Sequence, residues 1–166
     1  WRDTIGFDLT TRHAGSGEDP YLLHAYNTGL LADFLNVEEI YQTTAGRRYS
    51  TQFEFCVADS RQFTVDGIQF QVDGLYEGPD EIAIVEAKEG ARGDFLTRQL
   101  YYPYRHYRAE HDKEVRTIFY VHDEAERLHR FWEFEFEDIN DYSSLTCTRS
   151  GKFRIDDPQR GLTEFR

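Results

Sequence analysis

Two stretches decide how this chain folds: Val72-Asp73-Gly74, and after a turn Ile82-Ala83-Ile84-Val85-Glu86-Ala87-Lys88. Side chains alternate along a strand with period two. Ile82, Ile84, Glu86 and Lys88 therefore share one face, and Ala83, Val85 and Ala87 share the other. A strand that is apolar on both faces belongs in the middle of a covered sheet. The charges of Glu86 and Lys88 at its end are then drawn partly out of water, where they need partners.

The pattern extends outward from there. Glu77-Gly78-Pro79-Asp80 is a turn between the two stretches. Upstream, Phe53, Phe55 and Val57 alternate with other residues, as in a strand. Phe63-Thr64-Val65, Asp66-Gly67 and Ile68 to Val72 predict a hairpin on a two-residue type I′ turn. Asp19-Pro20 is a helix start. Leu22, Leu23, Tyr26, Leu30, Leu31, Phe34 and Leu35 follow at helical spacing, ending near Asn36. Gly29 weakens that helix by about 1 kcal/mol.

Downstream, residues 92–113 predict a long helix with Phe95, Leu96, Leu100, Tyr104 and Tyr107 on one face and a kink at Pro103. Val115 to Val121 is a strand. Leu128 to Glu137 is another, with Trp132, Phe134 and Phe136 on a buried face and Glu133, Glu135 and Glu137 on a wet one. A last strand is expected from Thr146 to Ile155. The order predicts an α/β (α+β) fold, a central mixed sheet flanked by helices. Residues 1–155 are expected to form one domain and 156–166 a tail or linker. A chain starting at Trp1 and lacking Met is expected to be an excised domain.

Composition narrows the partners. The 166 residues are 39% hydrophobic and 16% aromatic, enough for a core. With 31 Asp+Glu against 19 Lys+Arg the formal charge is −12, which taken alone opposes a nucleic-acid partner. Lysine occurs at Lys88, Lys113 and Lys152 alone, so arginine dominates the cations. That balance fits either a high-salt proteome or an ordinary acidic cytosolic protein. Cys56 and Cys147, each in a strand-like run, are expected as free buried thiols in a reducing, cytoplasmic compartment. No apolar run approaches the roughly 20 residues of a membrane span, and no signal-peptide pattern is seen.

Asp73, Glu86 and Lys88 point to a specific chemistry. Phosphodiester hydrolysis uses a metal to offset phosphate charge and acidify a water. Hard ions such as Mg²⁺ take one or two carboxylates together with substrate oxygens. Asp73 and Glu86 supply the carboxylates from neighbouring strands, and the Ala87 carbonyl offers a third oxygen. Lys88 would orient the attacking water or stabilise the transition state. The competing reading is a surface Glu/Lys pair at a strand end, worth roughly 0–1 kcal/mol.

This set resembles the PD-(D/E)xK nuclease superfamily, which includes restriction endonucleases, Holliday-junction resolvases and RecB-like nucleases. Asp73 matches the first acid, Glu86 the second and Lys88 the lysine; Val72 stands where the motif's name has proline. The resemblance implies a helix, three strands, a helix and a strand, which fits residues 20–121. It also implies a helical Gln, matched by Gln99 in Arg98-Gln99-Leu100-Tyr101-Tyr102. The Tyr four positions on is replaced by Pro103. The implied activity is a Mg²⁺-dependent DNA endonuclease of restriction type, with Mn²⁺ able to substitute. It would act by in-line attack, as a homodimer when both strands are cut.

Residues 97–108 carry Arg98, Arg105, Arg108 and four tyrosines with no acid. Arg98, Tyr102, Arg105 and Arg108 are the candidate nucleic-acid contacts; their alternative use is packing and local pairing. Asp33, Glu38, Glu39 and Glu54 are candidates for a further acid, each more readily explained as solvated. The six histidines show no zinc spacing. The alternatives to a nuclease are a binding module for DNA or protein on the same fold, or a structural ion network.

Overall fold

The computed structural model describes residues 19–58, 61–90 and 94–154. Its elements are α1 (Asp19–Asn27), α2 (Leu30–Leu35), β1 (Tyr41–Tyr49), β2 (Phe53–Val57), β3 (Arg61–Val65), β4 (Gln69–Glu77), β5 (Glu81–Glu89), α3 (Thr97–Glu110), β6 (Glu114–Asp123), β7 (Leu128–Phe136) and β8 (Leu145–Phe153). Six strands form one mixed sheet in the order β1-β4-β5-β6-β7-β8, and β2 and β3 form a separate hairpin. β5 and β6 run parallel, joined through α3; the other pairings are antiparallel. The fold is the expected mixed sheet flanked by helices.

β5 lies inside the sheet, as its two apolar faces required. Ala83, Val85 and Ala87 pack with Leu22, Leu31 and Phe34 of α1 and α2, and with Ile118, Tyr120 and Phe131. Ile82 and Ile84 pack on the other face with Phe70, Val72 and Tyr107. The β2–β3 hairpin closes that second layer, where Phe53, Phe55 and Val65 meet Leu100, Tyr101 and Phe136. Pro103 lies inside α3 and is buried, so the helix gives up one backbone bond where packing holds it.

Local expectations fail at several places. The single N-terminal helix is broken: Gly29 adopts φ 77°, and Asn36 ends α2 at φ 58°. Glycine has no Cβ to oppose that conformation, so the apolar stripe turns onto the sheet in two pieces. The hairpin at Asp66-Gly67 does not form. β3 pairs with β2, β4 pairs with β1 and β5, and only Gly67 of the two turn residues has positive φ. β1 was not anticipated, because its sequence, Tyr41-Gln42-Thr43-Thr44-Ala45-Gly46-Arg47-Arg48-Tyr49, has no apolar alternation. An edge strand with no buried side chain writes no such pattern.

The wet face assigned to β7 holds at Glu135 and Glu137, which are exposed, but fails at Glu133. His129, Phe131 and Glu133 are buried, whereas Trp132 and Phe134 are half-buried. Glu133 is tolerated because Arg116 binds both its oxygens, at 2.6 and 3.0 Å, and Arg149 adds a contact at 2.8 Å. Arg116 also reaches Glu81 at 3.2 Å and the Leu35 carbonyl at 3.0 Å, tying α2 to the sheet. Both cysteines are free, but neither is buried: Cys56 is half-buried and Cys147 is exposed. The long helix expected over 92–113 is shorter: α3 spans Thr97–Glu110, so Phe95 and Leu96 precede it. Residues 155–166 lie outside the described residues.

Replacing Arg116 with Met should cost about 3 kcal/mol, because Glu133 and Glu81 are left without their shared cation in a dry site. Urea denaturation of the purified variant checks this; a change within about 0.5 kcal/mol of wild type contradicts it.

Candidate functional site

The β4–β5 ladder runs from Glu77↔Ile82 to Gly74↔Val85 and stops there. β5 continues against β6 to Glu89↔His122, and β4 continues against β1 to Tyr49↔Gln69. The two strands therefore diverge just where Asp73 and Glu86 occur. Divergence is coupled to a bulge: β4 places Asp73 and Gly74 between pairs Leu75↔Thr44 and Val72↔Gly46, where β1 supplies Ala45 alone. Bulges bend a strand and re-aim its side chains. A Cβ on Gly74 would stand 2.6 Å from the Tyr76 ring and 3.1 Å from Leu22, so glycine is required at this point.

In the gap, the Asp73 carboxylate takes the place of a strand. Its Oδ2 accepts the Ala87 N–H at 2.9 Å. The N–H and C=O of one residue point to the same side of a strand, so the Ala87 carbonyl also faces the opening. It accepts from Lys88 Nζ at 2.9 Å. Lys88 Nζ is 2.5 Å from Glu86 Oε1. Gln99, in the first turn of α3, donates its amide N–H to the same Glu86 oxygen. Its own Oε1 accepts the Leu96 N–H at 2.7 Å. One side chain thus caps the helix and pins the acid, and these two bonds set the orientation of its amide.

The electrostatics follow from burial. Glu86 is 3% exposed. Burial pushes its carboxyl up to about 7; the Lys88 hydrogen bond opposes this and the neighbouring Asp73 charge adds to it. Two carboxylates facing each other in a partly dry gap call for positive charge beyond one ammonium. Among the described residues, no group of three or more His, Cys, Asp or Glu side chains gathers as a metal cage. Two carboxylates with one main-chain carbonyl is instead the sparse oxygen set that Mg²⁺ accepts, the remainder being water and phosphate.

The structure thus brings together Asp73, Glu86, Ala87, Lys88 and Gln99. The candidate nucleic-acid contacts divide. Arg98 is exposed one residue from Gln99, and Arg108 is exposed near the far end of α3, donating to the Lys113 carbonyl at 3.4 Å. Arg105 is an internal tie: it donates to the carbonyls of Glu54 at 3.0 Å and Ile139 at 2.6 Å and lies over the Phe53 ring at 4.8 Å. The Tyr102 ring packs against Phe53 and Phe55. Arg105 is thus engaged within the fold, and the Tyr102 ring is half-buried among these aromatics.

The additional acids do not join the site. The Glu39 carbonyl lies at Gly78, at the opposite end of β5, and Asp33 and Glu38 are exposed around that α2–β1 connection. Glu54 sits on the hairpin, accepting from Gln62 at 3.3 Å. The sequence carried no signal for the bulge or for β1, because both are set by pairing.

A carboxyl raised above its unfolded value favours the folded state only while protonated. That contribution is complete below about pH 4.5 and is lost as pH rises through about 7. In the absence of divalent ions, wild-type stability should fall relative to Glu86→Gln by about 2–3 kcal/mol between pH 5 and pH 8. Paired urea titrations at the two pH values measure it. A constant difference between the two proteins refutes the assignment.

No curated protein and no solved structure matches the chain. One family model does, over residues 7–154 of the 166. Its description is a domain of unknown function, DUF6997, and the chain belongs to that family.

Proposed function

We propose that this protein is a divalent-metal-dependent DNA endonuclease. The observation that carries the reading is the meeting of Asp73, Glu86 and Lys88 where β4 and β5 part, with the Ala87 carbonyl on the open side. A Mg²⁺ or Mn²⁺ ion held by Asp73, Glu86 and that carbonyl would offset phosphate charge and acidify a water.

The chain's own groups complete the chemistry. Asp73 is held by the Ala87 N–H, so one oxygen is committed and its orientation is set. Gln99 keeps Glu86 from swinging away with changes at the surface. Lys88, already drawn over Glu86 and the Ala87 carbonyl, holds its ammonium where a water or a phosphoryl oxygen would receive a proton or positive charge. Hydrolysis by direct attack needs no side-chain nucleophile, and none of Ser, Thr or Cys takes part in these contacts.

Plasmid DNA incubated with Mg²⁺ or Mn²⁺ should be nicked or linearised by the wild type. Asp73→Ala and Lys88→Ala should each lose about 10²-fold or more, because the groups act together. Linear product appearing without a nicked precursor marks a dimer cutting both strands. Thermal unfolding adds a readout independent of turnover: Mg²⁺ should raise the Tm of the wild type and leave that of Asp73→Ala unchanged. Equal cleavage by all three proteins sinks the proposal. No cleavage and no Mg²⁺ shift in the wild type leaves the trio as a structural ion network.

A further inference from the structure

The rungs between Gly46↔Val72 and Tyr49↔Gln69 belong to β1 and β4 alone, since the β4–β5 ladder has already ended at Gly74↔Val85. They form a two-stranded antiparallel ribbon that continues beyond the bulge at Asp73. Ser50 extends it by one bond, its N–H reaching the Ile68 carbonyl at 2.9 Å. The ribbon's two faces differ. Phe70 and Val72 are buried against α3 through Tyr107, which gives the ribbon a firm backing. On the other face Arg47 pairs with Gln71 and Tyr49 with Gln69, and all four side chains are exposed.

The charge on this face runs against the rest of the chain. Residues 40–53 and 67–72 contain no Asp or Glu, in a protein with 31 acids and a charge of −12. Among the described residues, no ion pair includes Arg47. Exposed donors and acceptors of this kind on a stiff, acid-free strip suit a polyanion that also presents hydrogen-bonding edges. Alternation along β4 puts Gln69, Gln71 and Asp73 in one row, so whatever lies on the strip leads directly to the candidate acid.

We infer that the exposed face of the β1–β4 ribbon is the element that reads DNA sequence, with Arg47, Gln69 and Gln71 meeting base edges in the major groove. This deepens, and rests on, the nuclease reading. The B-form major groove admits a two-stranded ribbon, whereas the A-form groove of RNA is too narrow for side chains to read. Arg suits guanine O6 and N7, and Gln suits adenine N6 and N7. Tyr49 at the ribbon's end adds a hydroxyl for the sugar-phosphate backbone.

The test uses the whole chain and randomised duplex DNA, with Ca²⁺ replacing Mg²⁺ so that bound duplex is not cut. Bound molecules are recovered and sequenced over repeated rounds, and the affinity of the enriched duplex is then measured. The wild type should enrich a single motif. Arg47→Ala and Gln71→Ala should relax that motif, each at its own base position, and weaken binding to it about tenfold or more. Circular dichroism should be unchanged in both, as the side chains are exposed. Identical motifs and affinities from Arg47→Ala, Gln71→Ala and wild type overturn the inference, as does preferential capture of a matched RNA duplex. Enrichment of no motif at all overturns it too. The nuclease reading stands or falls separately, on whether Asp73→Ala loses Mg²⁺-dependent cleavage of DNA.

Discussion

The hydrogen bond from the Ala87 N–H to the Asp73 carboxylate is the constraint around which the site is built. In a continuous sheet that N–H would be answered by a backbone carbonyl of β4. The bulge at Asp73-Gly74 withdraws the backbone, and a buried N–H left open costs about as much as a lost hydrogen bond. Asp73 supplies the missing acceptor. The same act brings its carboxylate beside Glu86 and leaves the Ala87 carbonyl facing outward. The ladder's end and the acidic cluster thus occur at one place in the sheet.

The consequences spread along the strands. Glu86 is buried because β5 lies inside the sheet and α3 starts above its end. Its raised pKa follows from that position and from Asp73. Gln99 is recruited because the first turn of α3 has unpaired backbone donors, and one amide can answer both the helix and the acid. A second charged group is handled differently on the other side of the sheet. There Glu133 is buried but fully matched by Arg116 and Arg149, and Arg116 holds its carboxyl below the usual range despite burial. Glu133 is thus met by two guanidinium groups, whereas Glu86 is met by one ammonium and one amide.

The overall charge of −12 takes on a local meaning in this frame. Acids occupy turns, the wetter strand positions and the ends of the chain. The ribbon that leaves the site is free of them, and the basic run on α3 is partly consumed in packing through Arg105 and Tyr102. In the proposed reading, the surface that would meet DNA is therefore on β1 and β4, and less on the helix that composition had singled out.

The amino-acid sequence by itself determined the covered strand at residues 82–88, the antiparallel turn before it, the helix after it and the acid-x-Lys pair at its end. Period-two and period-3.6 patterns record which faces are buried, and burial is what those elements depend on. A Gln near the pair was implied by the family resemblance alone; the structure brings the Gln99 amide to Glu86. Only the tertiary structure decided the partner of each strand. The Asp66-Gly67 turn is as good a hairpin signal locally as the chain contains, yet β3 joins β2, and Phe53, Phe55 and Val65 pack against Leu100 and Tyr101 of α3. β1 left no trace in hydropathy, because an edge strand is held by backbone bonds that every residue can make. The bulge that aims Asp73 arises from a mismatch of one residue between two strands, a property of their pairing that neither strand's sequence contains alone.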